Sequence, residues 1–282
     1  MSMKSKIKER IMINNLKRVS HRYDDINIRK MINDLGVDLR DQYTMQAEMT
    51  DYTMRKMETQ QAFQISFTLR AVDYLSDKGI VSDDMRLSLV DIGDSAGNHL
   101  KYLRHKLENK YTDIETVSVN LDPVAVEKIR RRGGTAVLCR AEDYKPDVPV
   151  SLYLTYEMVE HLHNPALFFH NMAMANNGQY MVMSVPYVKN SRVSCLYIDD
   201  GKQDKVYAEG VHIFELSPTD WKRLVMHSGW RVIDSEIYCQ YPVNSLFTPF
   251  YRWLWKRSDF EGFLALFLER DISQANRYQD WE

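Results

Sequence analysis

From residue 86 the sequence alternates short apolar runs with helical repeats. RLSLVDI is followed by a helix over Asn98–Leu107, then IETVSVNL, a helix over 124–132, TAVLC, VSLYLTY, a helix near Pro165–Ala175 and QYMVMSVP. Helix-length connections bring each strand back parallel to the one before it, so few architectures accommodate this order. It predicts an α/β fold with a doubly wound, mostly parallel sheet of about seven strands. A helix over 218–228 opened by Ser217, the strand WRVIDSEIY and a last strand GFLALFLERD complete it. Gly178 is read as the cap between the 165–175 helix and QYMVMSVP.

Residues 1–79 lack strand alternation and carry apolar residues at helical intervals, such as Ile7, Ile11 and Leu16. Two or three helices are expected there, as an N-terminal helical extension or lid over 1–79, ahead of a main domain over 80–282. Between residues 4 and 30, nine Lys or Arg stand against three Asp or Glu. A solvated helical face accounts for this, with an anion-binding arm as the alternative. The net charge of −2 supplies no global attraction to nucleic acid. Cys139, Cys195 and Cys239 are too far apart for paired metal spacing, and the expected setting is reducing and cytoplasmic. No stretch is long and apolar enough for a signal peptide or a span, so no membrane partner is expected. Asp199 and Asp200 before Gly201 read as a solvated turn.

The turn VDIGDSAGNHL joins the first strand to its helix. Gly93 and Gly97 permit backbone angles and a close approach that a side chain would obstruct. A dinucleotide fingerprint wants three glycines and a later acid, whereas here Ser95 sits between two glycines and Asp91 precedes them. A carboxylate at the strand tip repels pyrophosphate and attracts a cation. The expected ligand carries positive charge.

At the end of the second strand, Asn120 stands where a nucleoside-binding α/β fold needs a partner for a ribose hydroxyl. Asp122 and Pro123 open the next helix. In order, LVDIGDSAGNH, VNLDPVAVEKIR, YEMVEHLHNP and MVMSVP resemble class I S-adenosylmethionine-dependent methyltransferases, specifically the small-molecule branch, across roughly half the chain. The resemblance implies a Rossmann-like methyltransferase fold and S-adenosyl-L-methionine as cofactor. It places Asp91, Gly93, Ser95 and Gly97 at the amino-acid end, Asn120 with Leu121 at the ribose, Ala141 and Glu142 at the adenine, and Tyr156 and Glu157 facing the sulfonium and the acceptor. Ser95, Asn120 and Arg140 depart from the family's usual residues.

Methyl transfer needs in-line alignment in a desolvated pocket, and a hydroxyl acceptor must also lose a proton. His161 and His212 are the candidate general bases, with Glu157 as the carboxylate alternative. Glu157, Glu160, His161 and His163 could be read as a metal cluster, but on one helical turn they diverge, and no metal is expected. The run FTPFYRWLWKRSDFEGF suits core or dimer contact, or stacking of a sugar on Trp253 or Trp255. The expected function is O-methylation of a small molecule, a sugar or glycan precursor. The alternatives are a non-catalytic cofactor-binding subunit and an RNA methyltransferase using the basic N-terminal helices.

Overall fold

The computed structural model describes residues 3–42, 49–193 and 210–277. Cys195, Asp199, Asp200 and Gly201 lie outside the described residues. Three α-helices come first: α1 (Met3–Ser20), α2 (Ile28–Asp34) and α3 (Asp51–Asp77), the last capped by Thr50, whose side chain accepts from the Thr53 N–H. Then follow β1 (Leu87–Ile92), α4 (Asn98–Leu107), β2 (Ile114–Asn120), α5 (Pro123–Arg131), β3 (Thr135–Leu138), β4 (Leu152–Tyr156), α6 (Pro165–Ala175) and β5 (Tyr180–Tyr187). A short antiparallel ribbon pairs β6 (Arg192–Val193) with β7 (Phe214–Glu215). The chain closes with α7 (Pro218–His227), β8 (Trp230–Cys239), α8 (Thr248–Lys256), β9 (Gly262–Arg270) and α9 (Ile272–Ala275).

The main sheet has seven strands in the order β3-β2-β1-β4-β5-β9-β8. Pairing is parallel from β3 through β5, and β9 runs antiparallel to both β5 and β8. Residues of β1 alternate between two cores: Leu87 and Leu89 join Phe63, Val72 and Leu103 on one face, while Val90 and Ile92 join Phe168, Met183 and Trp221 on the other. A strand buried on both faces has no polar side to show, which is why LSLVDI reads as a nearly continuous apolar run. Each large side chain buried this way contributes about 1.5–3 kcal/mol. The N-terminal helices share the first core with the sheet.

Asp122 and Ser217 cap α5 and α7 as expected, each followed by proline in the first turn. Gly178 is not the cap of α6. That position is taken by Asn176, at φ 58°. Gly178 is small for another reason: a Cβ there would lie 2.4 Å from the Tyr153 ring. Trp253 and Trp255 also part ways, since Trp255 is fully buried against α1 residues Met12 and Leu16 while Trp253 faces solvent.

Candidate active site

The order of strands reverses between β1 and β4: the chain winds outward through β2 and β3, then crosses to the other side of β1. Ligands in doubly wound sheets bind at such a switch point, beyond the carboxyl ends of the strands. Asp91 pairs in register with Leu154, so the glycine turn after β1 and the segment after β4 open on the same edge.

The turn is built around a carboxylate. Asp94 accepts from the backbone N–H of Ala96 (3.1 Å) and Gly97 (2.7 Å) through one oxygen and from the Ser118 hydroxyl (2.7 Å) through the other. Asn120 donates to the Asp94 carbonyl at 3.0 Å and accepts from the Asp122 N–H at 2.8 Å. Gly93 and Gly97 hold φ values of 95° and 76°, the left-handed region that favours glycine. Over Gly93 lies Met158, whose Cγ would be 2.4 Å from an added Cβ.

Asp91 is 1% exposed, and its Oδ2 has no hydrogen-bond partner among the described residues. Burial, followed by the neighbouring Asp94 charge, pushes its carboxyl well above the usual range. His99 stands 3.7 Å from that oxygen and 4.5 Å, ring to ring, from Tyr156. Burial lowers the His99 pKa to about 4, so the ring is neutral, and its Nε2–H donates to Gln64 Oε1 at 3.0 Å. Gln64 in turn donates to the Ser184 hydroxyl (2.8 Å), which donates to Glu157 (2.8 Å). One side chain of α3 thus links the glycine turn to the far side of the site. Such chains polarise their members and fix their orientation.

On that far side Glu157 adopts φ 51°, uncommon for a residue with a side chain. Burial pushes its carboxyl up to about 8, against the Ser184 hydrogen bond and the Lys56 charge. Glu160 is fully buried, and neither of its oxygens has a hydrogen-bond partner among the described residues. Burial, then the charge of Glu157, raises its carboxyl well above the usual value. His161 presents Nδ1–H to the Val211 carbonyl at 2.7 Å, because a carbonyl can only accept. Its Nε2 lies 3.9 Å from Glu160. His212 meets His161 edge to face and stacks on Phe260. Burial, then the His161 and Lys56 charges, lowers its pKa to about 3.

Glu160, His161 and His212 each offer a ligand atom within 4.8 Å of the others. Two imidazoles and one carboxyl group form a donor set suited, once deprotonated, to a divalent transition-metal ion. Asp91, Asp94 and His99 likewise bring a ligand atom each within 4.8 Å of the others. There, however, both Asp94 oxygens already hold the turn.

No protein-family model matches the sequence, and no curated protein matches it. Solved structures do. A Galdieria sulphuraria protein assigned as a sarcosine dimethylglycine methyltransferase is 11% identical, with TM-score 0.53 over 88% of this chain and 98% of that one. This is the class I methyltransferase fold. The same fold carries an O-methyltransferase from a trans-AT PKS multienzyme of Brevibacillus brevis, solved with S-adenosyl-L-homocysteine (10% identity, TM-score 0.50, 81% of this chain, 78% of that one). It also carries the [4+2]-cyclase SpnF (10% identity, TM-score 0.50, 91% and 97%). The chain spans only 43% of the length of LepI, another structure it overlays.

Within the methyltransferase fold, the structure gathers Asp91, Gly93, Gly97, Tyr156 and Glu157 around the switch point, but the expected donors are partly committed. The Ser95 hydroxyl donates to the Gln42 carbonyl at 2.5 Å. The side chain of Asn120 is engaged by the turn itself. Tyr156 OH lies 2.5 Å from Thr68 of α3. Ala141 is buried, Glu142 pairs with Arg140 at 3.3 Å, and Leu121 is half exposed. The sequence reading missed Gln42, Gln64, Asp94 and His99, because nothing local marks a glutamine that must cross to another element. It also set aside Glu160 by considering one helical turn alone, whereas His212 comes from the segment before β7.

Proposed function

We propose that this chain transfers a methyl group from S-adenosylmethionine to a hydroxyl of a small molecule. The observation that carries this is the juxtaposition, at one switch point, of the buried, unpartnered Asp91 Oδ2 with the Glu157–Glu160–His161–His212 cluster. An acceptor atom left unpaired in the interior costs about 1–3 kcal/mol unless a ligand satisfies it. The cofactor's ammonium is such a ligand, and the positive φ angles of Gly93 and Gly97 suit its approach. When bound, S-adenosylmethionine supplies the reactive methyl group.

Glu160, His161 and His212 would hold a divalent cation, whose charge lowers the pKa of a bound hydroxyl. Glu157, with its carboxyl near pH 8, is a strong enough base to take the proton. His212, depressed to about 3, is a weak base and a good ligand. A sugar offers vicinal oxygens that can chelate one ion, which favours a carbohydrate acceptor.

The test has two parts. Calorimetry should detect S-adenosylhomocysteine binding, and radiolabelled methyl transfer to a panel of sugars and other alcohols should require added Mn²⁺ and stop with a chelator. Absence of cofactor binding at millimolar concentration refutes the reading. A second reading, a cofactor-binding subunit without turnover, is favoured by the commitment of Asn120 to the turn and by Met158 over Gly93. Binding with no transfer to any acceptor would select it.

A further inference from the structure

Helix α8 has two unlike faces. Leu254 and Trp255 point inward, packing with Tyr241 and with Met12 and Leu16 of α1. Outward, Phe247, Phe250 and Trp253 recur at intervals of three, which places them on one side of the helix and its entry turn. They are 64%, 45% and 49% exposed, and Leu246 just before them is 98% exposed. Phe250 and Trp253 stack with ring centres 6.1 Å apart. Single exposed apolar residues are ordinary on a protein surface, but four large ones in eight positions form a patch that needs a partner.

Cations accompany the patch. The Arg257 guanidinium lies 4.6 Å over the Trp253 ring. Arg252 and Lys256, 40% and 45% exposed, reach from α8 to the buried Glu261. The neighbouring helix α1 exposes Lys6, Lys8, Arg10, Lys17 and Arg18 on its outer side. Helix α1 and residues 248–261 together hold nine Lys or Arg against three Asp or Glu, so they are basic within a chain of net charge −2.

We propose that the Leu246–Trp253 face docks on an anionic phospholipid bilayer. Phe and Trp settle at the headgroup level, a protruding Leu enters the acyl boundary, and Lys and Arg beside them draw acidic headgroups. RNA fits less well, since Leu246 offers a base nothing to stack on. Spanning is not involved: no helix among the described residues is long and apolar enough to cross a membrane. The inference stands independently of the proposed methyl transfer.

The test is co-sedimentation of the full chain with vesicles of phosphatidylcholine alone and of phosphatidylcholine with about 30% phosphatidylglycerol, an anionic surface of the kind that attracts basic segments. Binding is expected only to the anionic vesicles, weakening as salt is raised. The double variant Phe247→Ser/Trp253→Ser should lose roughly tenfold or more of that binding, since it removes the inserted apolar area. The variant Lys6→Ser/Lys8→Ser should lose the preference for anionic lipid. Circular dichroism confirms that both variants fold, as their exposure leads us to expect. Failure to bind the anionic vesicles overturns the proposal, as does undiminished binding by the aromatic variant. A dimer in sedimentation equilibrium that this variant dissociates, or salt-sensitive RNA binding without vesicle binding, overturns it in favour of another partner.

Discussion

His161 and His212 lie edge to face with ring centres 4.7 Å apart, although one follows β4 and the other precedes β7. Both converge on the buried Glu160 carboxylate, within 4.8 Å. Two imidazoles facing a buried carboxyl whose oxygens have no hydrogen-bond partner among the described residues form a ligand set that a cation would satisfy. We expect Mn²⁺ to raise the thermal midpoint of the parent protein, and we expect His161→Ala, His212→Ala or Glu160→Gln each to abolish that increase. Turnover should fall by about 10²–10⁴ in each, while S-adenosylhomocysteine affinity stays within a few-fold. Titrating the metal and the cofactor separately distinguishes the two effects.

Asp91→Asn keeps the shape of the side chain and removes its ability to ionise. Pairing with a cationic ligand should weaken by roughly 1.5–3 kcal/mol, as for loss of a charge-assisted hydrogen bond. The fold should be retained or stabilised, because the interior no longer holds a buried acid next to Asp94. Calorimetry with S-adenosylhomocysteine, set against a thermal melt, checks both halves.

Asn120→Asp would supply a stronger acceptor for a ribose hydroxyl if the side chain were free. It is not free, since its amide N–H donates to the Asp94 carbonyl. The carboxylate would face that carbonyl with no donor, and we expect a loss of about 1–3 kcal/mol in stability together with weaker cofactor binding. Tighter binding with an unchanged melting temperature would contradict this account of the turn.

Glu157 and Glu160 both have raised carboxyl pKa values, so the folded state retains protons that the unfolded chain releases near 4.5. His212 acts in the opposite sense, with stability growing as pH rises from its folded value of about 3 toward 6.5. Above 6.5 that gain is complete, and only the carboxyl loss continues. Between pH 6.5 and 8 we therefore expect stability to fall with pH, by roughly 1–2 kcal/mol for Glu157. Glu157→Gln should flatten the slope measured by urea denaturation across this interval.

Much of the fold follows from local pattern. The apolar runs of β1, β4 and β5, the proline-led helix starts after Asp122, Asn164 and Ser217, and the glycines of the turn are each set by a requirement that neighbouring residues express. A strand buried on both faces must be apolar throughout, a first helical turn needs an acceptor, and a positive φ favours glycine. Cap positions are less secure, as Asn176 in place of Gly178 shows, because either residue can adopt the left-handed conformation and only the Tyr153 ring decided which one had to be small.

The site belongs to another level. Asp91 and the glycine turn are legible because they lie within one strand-to-helix connection. The partners of Glu160 are not, since His212 lies far along the chain, beyond β5 and β6. The same holds for Gln64, which reaches His99 and Ser184 because α3 packs against both α4 and β5, and for Trp253 and Trp255, whose opposite fates depend on where α1 lies. Sequence periodicity determined which face of each element is buried. Which elements then met, and so which polar groups were left facing one another in the interior, was decided by the order of the strands and the packing of the N-terminal helices. These contacts join distant segments, and their energy depends on the geometry of both sides at once.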